Sequence, residues 1–219
     1  MTKEVFLIID GSSLLSTSFY GTVPNEYHYA KTEEDFKKVL PKLLCTTDGL
    51  YTNGMYTFFK ILENMLANQG ITHLCVAWDK NRDTFRREIY PKYKANRKET
   101  REELKSQFEL MQKSLEYIGV KQFVFDEYEA DDIIGTISTL IDMPTYIYTK
   151  DNDALQLITD RTKVWLVTSK AKDIASVTGV DLKTVNCPDK TYEFSVDCML
   201  KYHKITPEQV IDLKALQGD

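Results

Sequence analysis

The chain has 219 residues, 42% of them hydrophobic and 28% charged, with a formal net charge of −5. That content can bury one large core and excludes a disordered chain, and no apolar run nears the roughly 20 residues that cross a bilayer. The acidic balance also excludes a generally basic nucleic-acid-binding protein, so any such function must rest on how the charge is distributed.

Met1-Thr2-Lys3-Glu4 leads into an apolar run without a cleavage-site pattern, so no secretory signal is expected. Cys45, Cys75, Cys187 and Cys198 are scattered without a CxxC pair. Neither a zinc site nor a disulfide framework is expected, and a reducing cytoplasm is the expected location.

In chain order, an apolar β-type run at 5–9 ends in Asp10. Residues 22–47 read as a polar loop with a short helix at 33–44. Met55, Phe58, Phe59, Leu62, Met65 and Leu66 follow helical spacing. A second strand at 74–78 ends in Asp79. Leu104, Phe108, Met111, Leu115 and Ile118 mark a helix that Gly119 stops. A third strand at 122–125 runs into Asp126-Glu127-Tyr128-Glu129-Ala130-Asp131-Asp132, and Ile133, Ile134, Ile137, Leu140 and Ile141 make the next helix. A fourth strand at 146–149 leads through Lys150 to Asp151-Asn152-Asp153, and a fifth lies at 164–167. Residues 169–190 read as a loop or hairpin excursion. Thr206-Pro207-Glu208-Gln209 is a capping box that opens a helix running to Gln217.

Short strands that are apolar throughout belong in a sheet buried on both faces. Alternation with helices predicts an α/β domain, mostly parallel and Rossmann-like, with helices on both sides. No repeat or linker divides it.

The carboxylates are the informative feature. In an open parallel sheet the C-terminal strand ends share one edge, and ligands bind there. Four acidic segments from four strands would meet at that edge and repel one another unless divalent cations held them. Oxygen ligands without His or Cys suit magnesium or manganese. Any single one of these aspartates could equally be an ordinary helix cap. Asp131 and Asp132 also stand where the dipole of the next helix favours acids, while Asp126 and Glu127 read as solvated loop acids.

Charge is distributed unevenly. From 80 to 98 there are eight basic residues against two acids, a local charge of +6. Phe85, Tyr90 and Tyr93 are interleaved with Lys80, Arg82, Arg86, Arg87, Lys92, Lys94 and Arg97. Cations that hold phosphates beside rings that stack bases would suit single-stranded nucleic acid. The bland reading is a solvated helix surface.

Together these residues resemble the 5′-nuclease family, which comprises the 5′–3′ exonuclease domain of bacterial DNA polymerase I, free-standing 5′–3′ exonucleases and the flap endonucleases. The resemblance is carried by Phe6-Leu7-Ile8-Ile9-Asp10-Gly11-Ser12-Ser13, Trp78-Asp79 followed by Phe85-Arg86, Tyr128-Glu129-Ala130-Asp131-Asp132, Thr149-Lys150-Asp151-Asn152-Asp153 and Asp212-Leu213-Lys214-Ala215-Leu216-Gln217-Gly218-Asp219. It implies a 5′-nuclease or PIN-like fold over 1–219, with a basic helical arch or gateway at 80–105 that admits a single-stranded 5′ end. It implies a first Mg2+ or Mn2+ held by Asp10, Asp79, Glu129 and Asp131 with Asp132 near it, and a second held by Asp151, Asp153 and Asp219. Arg86 matches the family's catalytic basic residue. The implied reaction is two-metal hydrolysis of DNA at or near 5′ ends, in replication and repair, by a monomer.

The chain departs from the family pattern in places. Thr17 stands where the family usually has Arg or Lys, and 24–40 is longer than the usual connection. The family continues past the position of Asp219 with another aspartate and a helix–hairpin–helix that grips duplex DNA with a monovalent cation, K+. His28, His73 and His203 match no triad or metal spacing, Asp10-Gly11-Ser12-Ser13 is no phosphate-cradling P-loop, and Trp78 and Trp165 read as core. Three other functions compete. A PIN-like ribonuclease would share the acids but lack the basic segment after Asp79. A catalytically impaired nucleic-acid-binding protein would have lost ligands that are all present up to Asp219. A metal-dependent phosphatase would need a nucleophile motif that does not follow the first strand.

Overall fold

The computed structural model describes residues 4–80, 84–95 and 99–217. β1 (Phe6–Asp10) passes directly into α1 (Gly11–Tyr20), followed by the short α2 (Asn25–Tyr29) and α3 (Glu33–Val39). α4 (Asn53–Asn68) leads to β2 (His73–Asp79), the short α5 (Phe85–Ile89) and α6 (Glu102–Tyr117). β3 (Lys121–Phe125), α7 (Ala130–Leu140), β4 (Thr145–Thr149), a 3-10 turn (Asn152–Leu157) and β5 (Thr162–Val167) come next. α8 (Ala171–Thr178), β6 (Thr191–Phe194), α9 (Val196–Cys198) with the π-helical turn Met199–His203, and α10 (Gln209–Gln217) complete the fold.

The strands form one sheet in the order β3-β2-β1-β4-β5-β6. All neighbours are parallel except β5 and β6. The expected α/β class is therefore the observed one. Strand residues alternate between two cores: Leu7, Ile9, Val76, Trp78, Tyr148 and Trp165 pack towards α1, α4 and α6. Ile8, Cys75, Ala77, Ile147, Val164 and Leu166 pack towards α7 and α8. Burial on both faces is why β1, β2, β4 and β5 read as apolar runs; β3 departs from that expectation, since it is an edge strand with Lys121, Val124 and Phe125 exposed.

Three readings of the sequence need correction. α1 was not expected, because Gly, Ser and Thr dominate it and are modest helix formers. Its helix is imposed by a cap and by packing: Asp10 accepts from the Ser13 N–H, and Leu14, Leu15 and Phe19 are buried. Gly11 lies so close to β2 that a Cβ there would come within 2.6 Å of Val76 and 2.7 Å of the Trp78 ring. The 169–190 stretch is no plain loop, since it holds α8, whose Ile174, Ala175 and Thr178 are buried. Neither β6, a four-residue antiparallel edge strand, nor α9 was expected.

The terminal helix reaches Gln217 as expected, but it begins at Gln209 and not at Pro207. Gln209 Oε1 accepts from the Thr206 N–H at 2.9 Å, half of the expected capping box. A more distant cap organises α4, which has none of its own. The buried Gln107 of α6 accepts from Gly54 and Met55 N–H at 2.9 and 3.2 Å, and donates to Asn53 and to the Glu103 carbonyl.

Candidate active site

The strand order reverses between β1 and β4, and a parallel sheet opens a crevice at such a switch point. Asp10 ends β1, Asp79 ends β2, Asp131 opens α7 and Asp151 follows β4. With Glu129 they line one cleft of about 1420 Å3. The edge predicted from the strand ends is therefore real.

Hydrogen bonds fix the wall. Asp10 Oδ1 accepts from Ser13 N–H at 2.9 Å and Oδ2 from the Thr149 hydroxyl at 2.8 Å. Asp79 Oδ1 accepts from the Ala130 N–H at 2.8 Å, tying β2 to the start of α7. Asp151 Oδ1 accepts from the Asp153 N–H at 2.9 Å and caps the 3-10 turn. Cap and ligand were rival readings of these acids; Asp10 and Asp151 are caps that also face the cleft. Sequence reasoning missed the clamp that aligns the strand ends. Ser12 Oγ accepts from the Asp79 N–H and Ser13 Oγ from the Lys150 N–H, each at 3.0 Å. Their position directly after Asp10 was the available signal.

Burial, augmented by Asp79 and Asp151, pushes the Asp10 carboxyl up to about 7 despite its two hydrogen bonds. Burial likewise pushes Asp131 up to about 7, with Asp10, Asp151 and Asp79 adding to it. Such a cluster offers only oxygen donors, the chemistry that a hard divalent cation takes. Among the described residues no three His, Cys, Asp or Glu side chains converge as a ready-made cage. The donor chemistry fits; the carboxylates ring the cleft and would have to turn inward to share an ion.

The crowding has a consequence for stability. A folded-state pKa near 7 against 3.8 unfolded means that the folded chain holds the extra protons. Stability contributed this way is present at low pH and is lost as pH rises from about 4 through 7. In chelator, the Tm is expected to fall over that window, and Asp10→Asn should flatten the fall. At pH 8 the variant should melt several degrees higher, at about 2–4 °C per kcal/mol recovered. Thermal melts of both proteins at pH 5 and pH 8 check this; parallel slopes would refute it.

The other predicted site residues are dispersed. Asp132 faces a neighbouring cleft of about 570 Å3 that shares Asp131 with the first. It takes both arms of Arg86, Nη1 to Oδ2 and Nη2 to Oδ1, each at 2.7 Å. The Arg86 hydrogen bonds hold its carboxyl below the usual range. Asp153 lines that same second cleft and pairs with Lys214 of α10 at 2.8 Å, so it does not face the cleft that holds Asp151. Asp219 lies outside the described residues, as do Arg82 and Arg97.

The basic segment closes over the acids. Lys94, in a left-handed conformation at φ 51°, donates to Glu129 Oε1 at 2.9 Å, and the Tyr93 hydroxyl donates to Oε2 at 3.1 Å. Lys80 pairs with Asp126. Phe85 packs on Tyr128 at 5.9 Å with the Arg86 guanidinium over its ring at 4.7 Å. Arg87 is half-buried, while Tyr90 and Lys92 are exposed. Between 84 and 95 the described residues form the five-residue α5 and the turn at 91–95, while 81–83 and 96–98 of the arch expected at 80–105 lie outside the described residues.

Sheet order, switch-point carboxylates and the covering cations define a Rossmann-like α/β domain with an acidic cleft. Residues 5–184 match the family described as 5′-3′ exonuclease, N-terminal resolvase-like domain. The chain is 32% identical over 222 residues to DNA polymerase I of Streptococcus pneumoniae serotype 4, covering 100% of this chain and 22% of that one. It is 31% identical to DNA polymerase I of Mycobacterium bovis, covering 99% of this chain and 21% of that one. The chain thus spans about a fifth of the length of these relatives. It belongs to the 5′–3′ exonuclease family. Solved structures show the same fold: a phage T5 protein co-crystallised with metal ions gives a TM-score of 0.62 at 20% identity, over 99% of this chain and 67% of that one. The T5 5′-exonuclease bound to divalent zinc gives 0.58 at 19% identity, over 97% and 66%.

Proposed function

We propose that residues 1–219 form the catalytic domain of a divalent-metal-dependent 5′ nuclease that hydrolyses DNA at or near single-stranded 5′ ends, in replication and repair. The observation that carries this reading is the convergence of Asp10, Asp79, Asp131 and Asp151 on one cleft at the β1/β4 switch point. Asp10, Asp79, Glu129 and Asp131 would hold one Mg2+ or Mn2+, and Asp151 with Asp219 a second, which Asp153 would join only by leaving Lys214 and turning from the neighbouring cleft. Bound there, such ions would polarise the scissile phosphate, activate water and offset charge on the leaving oxygen.

The chain's own residues supply the rest. Ser12, Ser13 and Thr149 hold the strand-end backbone and the Asp10 carboxylate in place. Lys80, Lys94 and Lys150 line the cleft and would receive the phosphate backbone. Lys94 would exchange Glu129 for a phosphate. Family membership, together with a T5 flap endonuclease solved in complex with DNA and metal ions, supports the substrate class. Monomeric action in the cytoplasm belongs to the same proposal.

The test uses 5′-labelled and 3′-labelled flap and duplex DNA, and matching RNA, with Mg2+, Mn2+ or chelator. Short products released from the 5′ side of DNA, only with metal, are expected. Cleavage in chelator, degradation from 3′ ends, or cutting confined to RNA would each overturn the proposal.

A further inference from the structure

The segment 24–40 has no part in the catalytic reading, yet its His28 lines the cleft. α2 and α3 are braced against the start of α6. The buried Tyr27 hydroxyl donates to Glu103 Oε1 at 2.7 Å, and the same oxygen accepts from Arg101 Nε at 2.7 Å. Arg101 also pairs with Glu33 at 2.9 Å and lies 3.6 Å over the Phe36 ring. Val39 and Leu43 bury the far end of the segment in the core.

Two aromatic rings stand on that brace. Tyr20 and His28 have ring centroids 6.4 Å apart at an interplanar angle of 36°. Tyr27 presents an edge to each, at 6.4 and 6.5 Å, and Phe19 packs edge-on against Tyr20 at 5.2 Å. The pair is held from behind but open in front: Tyr20 is 44% exposed and His28 is exposed. Both line the same cleft as Asp10, Asp79, Asp131 and Asp151, and Lys94 and Lys105 share it.

Spacing fixes what the rings can reach. Tyr20 lies ten residues beyond Asp10, so the helix rise of 1.5 Å per residue puts it about 15 Å along the axis. Ser13, Ser16, Thr17 and Tyr20 follow one another along the cleft-facing side of α1. At 3.4 Å per stacked nucleotide, 15 Å is roughly four nucleotides. Aromatic faces flanked by cations suit an unpaired base on a strand whose phosphates those cations hold.

We infer that Tyr20 and His28 form a stacking subsite for an unpaired nucleobase, several nucleotides from the reacting phosphate, presented by the 24–40 brace. The inference rests on the nuclease reading of the cleft, and it gives the extended segment a substrate-binding task.

The test is binding of single-stranded 5′-end oligonucleotides to the full-length protein in chelator, with 2-aminopurine placed at successive positions. Emission should change on binding at one position about four nucleotides from the cleavage point. Tyr20→Ala and His28→Ala should remove that change, and Tyr20→Phe should keep it. Tyr20→Ala should weaken binding about five- to a hundredfold. An abasic residue at that position should weaken the wild type by a similar factor, and Tyr20→Ala should then add nothing. Unchanged emission and affinity in both alanine variants would overturn the subsite while leaving the nuclease reading intact. Equal weakening on intact and abasic strands would also overturn it, since the ring would then only support the fold. A wild-type protein that neither binds nor cuts 5′ single strands would remove the nuclease reading, and the subsite with it.

Discussion

Asp10→Asn and Asp151→Asn are each expected to abolish metal-dependent cleavage while the fold survives. Asp10 is 5% exposed, and both of its oxygens are already oriented by Ser13 and Thr149. An asparagine can keep the bond to the Ser13 N–H through its own carbonyl, so the helix cap persists. What it loses is the charge, and a hard divalent cation is held by charged oxygen donors. In Asp10 the same change relieves a burial and repulsion penalty that lifts the carboxyl to about 7. The variant should therefore be inert and more heat-stable at once in chelator. That combination separates a ligand from a structural acid, whose loss would lower both activity and Tm. The loss of rate should be at least on the order of 10³, since positioning and electrostatic stabilisation would fail together. Single-turnover cleavage of a 5′-flap in Mg2+ and in Mn2+, with calorimetric metal binding beside it, provides the measurement. Rates within tenfold of wild type for both variants would refute the metal-ligand assignment.

How much was legible in the sequence depends on the range of the forces involved. β1, β2, β4 and β5 could be read because burial on both faces writes each as an apolar run, the exposed edge strand β3 could be read from its aromatic and β-branched residues alone, and four strand ends could be read because an acid follows each. α1 could not, since its helix depends on packing against Trp78 that only a glycine at position 11 permits. β6 has four residues and a single neighbour, so little periodicity marks it. Site residues divide along the same line. Asp10, Asp79, Asp131 and Asp151 were legible from local grammar, a strand followed by an acid or a helix opened by one. Asp153 was not, because its pairing with Lys214 joins residues distant in sequence. The link between Arg86 and Asp132 is equally long-range, as is the brace from Tyr27 through Glu103 and Arg101 to Glu33. No spacing rule reaches across such separations, whereas the sheet topology does.

Arg86→Ala is expected to slow single-turnover cleavage by on the order of 10² to 10³ while metal binding persists. Arg86 is held by Asp132 through two charge-assisted bonds of 2.7 Å, with a further contact to Glu129 at 3.8 Å. Such a bidentate pair is strong for its kind, and Arg is the side chain whose planar fork fits a phosphate as well as a carboxylate. Asp132 also accepts from the Glu129 N–H at 3.0 Å, so the pair buttresses the first turn of α7 and with it Asp131. Two roles are therefore open to the guanidinium: to steady α7, or to leave Asp132 and meet charge developing on the phosphate. A double-mutant cycle distinguishes them. If Arg86 acts on the phosphate, Asp132→Asn releases it and keeps the rate within about tenfold of wild type, and Arg86→Ala is as slow alone as when combined with Asp132→Asn. If it only steadies α7, the two single variants lose the same amount and the double variant loses no more. Lys92 and Lys94 provide the control, since as backbone contacts their alanine variants should weaken DNA affinity and flatten its salt dependence without a comparable loss at saturating substrate. An Arg86→Ala defect that vanishes at saturating DNA would place Arg86 with those lysines and remove it from the chemical step.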